Sequence, residues 1–315
     1  MMTPSMIQTC LALKGRYHVQ RIKADSGLII QSSPWMTNLI TNVGKDKYFA
    51  GAYYADLYGA VGTGNSTPDA SNTALDNPLH MKYADEVNAV PSTFTESGGT
   101  VKSIFRYRFN PGEATGNISE LGIYIGYGSG NRLFSRALVR DSQGNPATIT
   151  VLSDEYLDVY WEFTLEVAGR TTGTLPLYHA DGTTSTVDWV MKPAATPHWK
   201  AHVHAFILAL PEVRGDGYYS HIYANVDNEP GHEQDIPQGH SHGPYPNYGA
   251  ALPYVDGSYY RDYEFVWLLD RANMSGINCF RLYIGPGHLW LYLPNHHFEK
   301  TAMDKLSVRF RLSIT

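Results

Sequence analysis

Apolar and polar residues alternate in three stretches of the chain. Between 156 and 167, Leu157, Val159, Trp161, Phe163, Leu165 and Val167 share one parity, and Asp158, Tyr160, Glu162, Thr164 and Glu166 share the other. A period of two is the signature of a strand, here predicted with one buried and one wet face. Near the C-terminus Leu306, Val308, Phe310, Leu312 and Ile314 alternate with Lys305, Ser307, Arg309, Arg311 and Ser313, and between 101 and 109 Val101, Ser103, Phe105, Tyr107 and Phe109 alternate with Lys102, Ile104, Arg106 and Arg108. Turn-forming runs separate these segments, among them Gly62-Thr63-Gly64-Asn65, Ser97-Gly98-Gly99, Asp141-Ser142-Gln143-Gly144-Asn145-Pro146 and Asp181-Gly182. The pattern predicts an all-β fold of two antiparallel β-sandwich modules in tandem with few short helices, the helices being expected at Asn38–Tyr48 and around Thr73–Asp85.

A weak internal duplication supports two modules. Ile118-Ser119-Glu120-Leu121-Gly122-Ile123-Tyr124-Ile125-Gly126 leads to the strand at 156–167 much as Leu282-Tyr283-Ile284-Gly285 leads to the strand at 305–315. The boundary then falls near Ala168-Gly169-Arg170-Thr171-Thr172-Gly173, whose composition suggests a linker, giving modules 1–168 and 169–315. Segment 212–262 has few apolar runs and many Gly, Pro, His and Asn, and is expected to be a long excursion from the second module.

Charge narrows the function. Charged residues are 17% of the 315, and 24 Lys+Arg against 30 Asp+Glu leave a net charge of −6. No general positive field exists to attract a phosphate backbone, so nucleic acid is not an expected partner. The apolar runs, such as Phe206-Ile207-Leu208-Ala209-Leu210, are far shorter than the roughly 20 residues that span a bilayer, so membrane insertion is not expected. Nor is a signal peptide expected, because Met1-Met2-Thr3-Pro4 carries no basic segment. Cys10 and Cys279 are the two cysteines, one possible disulfide at most, which fits assembly in a reducing cytoplasm.

Candidate chemistry lies mostly after residue 178. His202 and His204 project to one face about 7 Å apart if their segment is a strand, a spacing compatible with a shared metal, and His240 and His242 form a second pair. The alternative is four solvated or interfacial histidines, and no metal or other cofactor is expected. Tyr245, Tyr248, Tyr254, Tyr259, Tyr260 and Tyr263 crowd together; their amphipathic rings suit a subunit contact or stacking against a sugar. Asp154 with Glu155, Glu229 with Glu233, and Asp262 with Glu264 are carboxylate pairs of the type a glycan hydrolase needs across a cleft, but no phosphate-loop motif occurs. Solvated strand ends explain those acids more simply, and no enzyme is expected.

Three consecutive pieces carry a family resemblance. They are Gly15-Arg16-Tyr17-His18-Val19-Gln20-Arg21-Ile22-Lys23-Ala24-Asp25-Ser26-Gly27; Trp35-Met36-Thr37-Asn38-Leu39-Ile40-Thr41-Asn42-Val43-Gly44; and Val61-Gly62-Thr63-Gly64-Asn65-Ser66-Thr67-Pro68 followed by Asp69-Ala70-Ser71-Asn72-Thr73-Ala74-Leu75. The second is similar to an N-L-I-x-x-x-G segment, and the third to a V-G-T-G-x-x-x-P-x-x-x-D-T-x-L segment, of tail fibre and tail-associated virion proteins of tailed bacteriophages, with Asn72 where that family usually has Asp. Ile118–Gly122 and Leu133-Phe134-Ser135-Arg136-Ala137 continue the likeness, which covers about residues 14–168. The resemblance implies a structural component of a virion, most simply a tail fibre or a tail or baseplate appendage acting in assembly and host attachment, made in the host cytoplasm and located in the virion tail. A collar or head decoration protein, a glycan-binding receptor-recognition module and a glycan hydrolase are the alternatives. It further implies other virion proteins as partners, a homo-oligomer such as a trimer or six-fold set, and a host surface glycan as a further candidate partner.

Overall fold

The computed structural model describes residues 6–50, 57–126, 132–178, 183–195, 222–225, 248–269, 272, 274–284, 287–303 and 306–314. They form an all-β fold with a single helix among the described residues. The chain falls into two compact units, one of Met1–Ala12, Pro91–Val101 and Glu166–Thr315, the other of Leu13–Val90 and Lys102–Leu165. The passage at 165/166 lies near the expected boundary at 169, while Met1–Ala12 and Pro91–Val101 group with the later residues.

The unit of 13–90 and 102–165 is built on two facing sheets. One contains the parts of strands Ile7–Lys23, Glu155–Ala168, Gly98–Phe109 and Glu86–Thr95 that lie in this unit, with Ile29–Ser32 and Met36–Thr37 antiparallel to the first. The other runs in the order Leu39–Ile40, Arg132–Leu138, Glu120–Ile125, Leu57–Gly62, Pro78–Tyr83. Every predicted inward residue of the two alternating strands is buried: Leu157, Val159, Trp161, Phe163 and Leu165 on one, Ser103, Phe105, Tyr107 and Phe109 on the other. Phe134 crosses from the opposite sheet and places its ring 5.8 Å from Trp161 and 5.7 Å from Phe163, while the Tyr17 hydroxyl shares a 2.9 Å hydrogen bond with Ser135. Burial pushes the Tyr17 phenol far above its usual pKa, so it stays neutral and available for that bond.

Two local expectations change. The helix is Asn42–Phe49, starting later than Asn38, because Leu39 and Ile40 pair with Arg136 and Ser135 as a short strand first. Thr41 caps it: its Oγ1 accepts from the Gly44 amide at 3.0 Å and donates to the Leu133 carbonyl. A Cβ on Gly44 would lie 2.6 Å from the Phe134 backbone, so this glycine lets the helix lie directly on the strand. The helix expected around Thr73–Asp85 does not form; residues 73–77 are loop and Pro78–Tyr83 is an edge strand. The acidic face expected to be wet is also largely covered, for Asp158, Glu162 and Thr164 are buried.

In the other unit, Tyr248–Ala251, Tyr260–Trp267 and Leu306–Ile314 run antiparallel in sequence, and the last pairs in parallel with Ile7–Leu11. A second sheet orders Thr171–Tyr178, Thr184–Ala195, Gly287–Tyr292, Cys279–Ile284 and Ile222–Asn225. Trp267 and Phe280 meet across the two sheets, ring centroids 5.7 Å apart. The expected linker at Ala168–Gly173 is a tight connection instead, with Gly169 and Arg170 alone outside strands and the Arg170 amide bonded to the Glu96 carbonyl at 2.9 Å. Segment 212–262 is likewise not simply an excursion, since Ile222–Asn225, Tyr248–Ala251 and the start of Tyr260–Trp267 are sheet strands. Cys10 and Cys279 are not joined in a disulfide; the first is exposed and the second buried.

Phe134→Ala removes the ring on which the aromatic core of the 13–165 unit converges and is expected to cost about 3–5 kcal/mol. Urea unfolding checks this; a loss under about 1 kcal/mol would mean that the core does not depend on it.

Candidate functional site

The residues that carry the family resemblance meet around one buried ion pair. Glu120 and Arg136 lie on neighbouring strands, both fully buried, with Arg136 Nη2 2.9 Å and Nε 3.1 Å from Glu120 Oε2. Arg136 also donates from Nη2 to Asp76 at 2.6 Å and from Nη1 to Ser66 at 3.1 Å and Asn72 at 2.9 Å. All of its nitrogens are therefore engaged, as burial of a guanidinium demands. Glu120 accepts three backbone amides of the same loop, Gly64 at 3.0 Å, Asp76 at 3.1 Å and Asn77 at 2.8 Å.

These bonds explain the Val61–Leu75 segment residue by residue. The amides of Asp76 and Asn77 are held by the Glu120 carboxylate, Pro78 follows with no amide to give, and Pro78–Tyr83 pairs with Leu57–Gly62, so the expected helix is absent. A Cβ on Gly64 would sit 2.4 Å from Glu120 Oε1, so the glycine is needed for close approach rather than for a tight turn. Asn72, at the position where the resembling family has Asp, uses Oδ1 to accept from Arg136 and from the Asp69 amide. Leu75 caps the loop by burying itself with Ala60, Tyr124 and Leu133, and its amide bonds the Tyr124 hydroxyl at 2.9 Å. Hydrogen bonds from Ser66, then Arg136, hold the Asp76 carboxyl below its usual pKa; the Ser71 hydroxyl and amide do the same for Asp69.

A second group lies on the outer face of the strands in the same unit. Arg16 forks onto Glu162 through Nε at 2.9 Å and Nη2 at 2.8 Å; Arg108 forks onto Asp158 at 2.8 and 2.7 Å. The guanidiniums lie over aromatic rings, Arg16 4.7 Å from the Trp35 centroid and Arg108 5.1 Å from Tyr156. His18 sits between Trp35 at 5.2 Å and Tyr160 at 5.6 Å. Its Nδ1 donates to the Ser33 carbonyl at 2.9 Å, and burial lowers its pKa, so it is neutral at pH 7. Sequence reasoning did not single out these residues; the alternation of residues 16, 18 and 20 and of 156, 158, 160 and 162 was the available signal.

The residues singled out from sequence fare differently. His202, His204, His240, His242 and Tyr245 lie outside the described residues, as do Glu229 and Glu233. Tyr248 begins a strand. Tyr263 is a core residue, 1% exposed with its ring 6.3 Å from Phe310, and is thereby removed from any open contact surface. Its parity along the strand shared with Phe265 and Trp267 was the missed sign. Tyr254, Tyr259 and Tyr260 are half-buried in the other unit: the Tyr254 hydroxyl accepts from the Tyr259 amide at 3.3 Å, and Arg311 lies 3.6 Å over the Tyr260 ring. Tyr259 adopts φ of +52°, a strained conformation for a side-chain-bearing residue. The carboxylate pairs are cross-strand ion pairs: Asp262 with Arg311 at 2.6 Å, Glu264 with Arg309 at 2.9 Å, and Glu155 with Arg21 at 3.2 Å. Among the described residues no group of three or more His, Cys, Asp or Glu is placed to hold a metal, and no helix is long and apolar enough to cross a membrane. A cavity of about 370 Å³ lies in this unit, walled by Leu175, Val187, Phe280, Leu291, Phe298 and Val308.

Comparison with protein-family models, with curated proteins and with solved structures finds no match.

Arg136→Met leaves Glu120 buried without its counter-charge and is expected to cost about 3–5 kcal/mol. Adding Glu120→Gln removes the charge while keeping an acceptor for the loop amides, so the double variant should recover part of the loss in urea titrations. Acid supplies a second check. Because Asp69 and Asp76 have folded pKa values below the usual 3.8, their contribution is present above that value and lost as pH falls through the folded values. Melting temperature should hold from pH 7 to about 5 and fall below about pH 4, less steeply in Asp76→Asn.

Proposed function

We propose that the chain is a structural component of a tailed-bacteriophage virion, a tail fibre or a tail or baseplate appendage protein serving assembly and host attachment. One observation carries this reading. The segments that resemble tail fibre proteins are far apart in sequence, yet Val61–Leu75, Ile118–Gly122 and Leu133–Ala137 are bonded to one another through Glu120 and Arg136. Scattered chance similarities would have no reason to converge on a single network. The likeness at Asn38–Gly44 has a physical basis of the same kind, in a strand pairing, a cap and a glycine that all address Leu133–Arg136. What the motif specifies is a rigid scaffold, which suits a part whose work is to hold position in an assembly. Exposed aromatic and arginine side chains, Trp35 and Arg16 among them, suit contacts with neighbours.

Virions of the phage that encodes the chain provide the test. Mass spectrometry of gradient-purified particles should detect it at a stoichiometry of several copies per particle, and gold-labelled antibody should decorate the tail. Particles that lack the chain altogether would overturn the proposal. Label confined to the head or collar would favour a decoration protein instead. Sedimentation of the purified chain should show a closed homo-oligomer, a trimer or a six-fold set.

A further inference from the structure

The unit of Met1–Ala12, Pro91–Val101 and Glu166–Thr315 holds a cavity of about 370 Å³ between its two sheets. Val187, Phe280 and Leu291 of one sheet and Val308 of the other form its apolar wall, and all four are buried. A second void of about 10 Å³ shares Phe280 and Leu291 with it, so the apolar lining continues between the sheets toward Met191. Protein interiors are close-packed, and a space of this size leaves the atoms around it without dispersion partners. Its volume is more than twice the roughly 150 Å³ of an apolar cavity that takes a benzene ring. The polar part of the wall is Glu264, Ser307 and Arg309. Glu264 Oε1 takes every bond of that group, from Ser307 Oγ at 2.9 Å and from Arg309 Nε at 3.0 Å and Nη2 at 2.9 Å. Glu264 Oε2 and Arg309 Nη1 stay outside those bonds, and both side chains are partly exposed.

From this geometry we propose that the cavity binds an uncharged amphiphile, an alkyl or acyl chain of about ten carbons that ends in a hydroxyl. The length follows from the volume, and a chain is preferred to a compact ring system because the apolar lining continues past Phe280. Burial of the chain removes apolar surface from water and supplies the contacts that the wall lacks. The head group follows from the polar part of the wall. Carboxylate and guanidinium offset one another there, so an anionic head meets Glu264 and a cationic head meets Arg309 within the same pair. A hydroxyl both donates and accepts, so it can serve Glu264 Oε2 or Arg309 Nη1 without bringing a charge that must be desolvated. The site lies in the other unit from the Glu120–Arg136 network, and it stands whether or not the chain is a virion protein.

The full chain should be titrated with the uncharged fluorescent probe phenylnaphthylamine, which brightens in apolar surroundings, and the probe then displaced with decanol, decanoate or decylammonium. The expected result is one saturable site, with decanol displacing the probe at about 10–100 µM and either ion at least about fivefold more weakly. Val187→Phe puts a ring into the cavity and should weaken decanol about tenfold or more while circular dichroism and melting temperature show the fold retained. Leu175→Phe, at the half-buried cross-strand partner of Val187, makes the same test should the first variant not fold. Glu264→Gln removes the negative charge beside Arg309, so decanoate should gain severalfold in affinity while decanol changes less than about twofold. No saturable probe or decanol binding, or affinity unchanged in a folded cavity-filling variant, would overturn the site. Decanoate binding unchanged by Glu264→Gln, or decanoate or decylammonium binding as tightly as decanol to the unaltered chain, would overturn the assignment of the head group.

Discussion

Burying an arginine is costly unless every donor finds a partner, and the 13–165 unit is arranged around meeting that demand at Arg136. Its guanidinium binds Glu120 on the adjacent strand and three side chains of one loop, and Glu120 in turn accepts that loop's amides. The loop is thus folded onto the sheet by polar bonds first and by Leu75 second. Glycine at 64, Ser66, Asn72 and Asp76 are each held there by named contacts. A motif that looks like turn chemistry is in fact the lining of a charge site.

The same economy explains the low charge content. Arg16, Arg108, Arg309 and Arg311 each fork or pair onto an acid of a neighbouring strand, so many of the chain's few charges are used in cross-strand pairs. Surface pairs of this kind add little stability singly. Their effect is to fix planar groups in place, and on the outer face of the 13–165 unit that leaves guanidinium and aromatic planes side by side.

Strand periodicity was legible because a sheet imposes a period of two on burial whatever its neighbours are. Residues 101–109, 156–167 and 306–314 needed no tertiary knowledge, and the turn at Asp141–Pro146 announced itself through Asp141, whose Oδ1 accepts the Gln143 and Asn145 amides at 2.9 Å. The missed features share a cause. The helix expected around Thr73–Asp85 gives way to a strand because Pro78–Tyr83 pairs with Leu57–Gly62, while Glu120, more than forty residues away in sequence, holds the amides just before it. Asp158 and Glu162 look wet by parity and are buried because arginines from other strands lie over them.

Tyr263 has surface tyrosines as its neighbours in sequence, while its strand parity places it in the core. What the sequence alone determined is the all-β class, the inward faces of the long strands and several of the turns, since those follow from local chemistry and alternation. What only the tertiary structure decided is which polar groups meet: Arg136 with the loop, Arg16 over Trp35, Arg108 with Asp158. Such meetings depend on strand order and register, and no local pattern encodes which distant strand lies alongside.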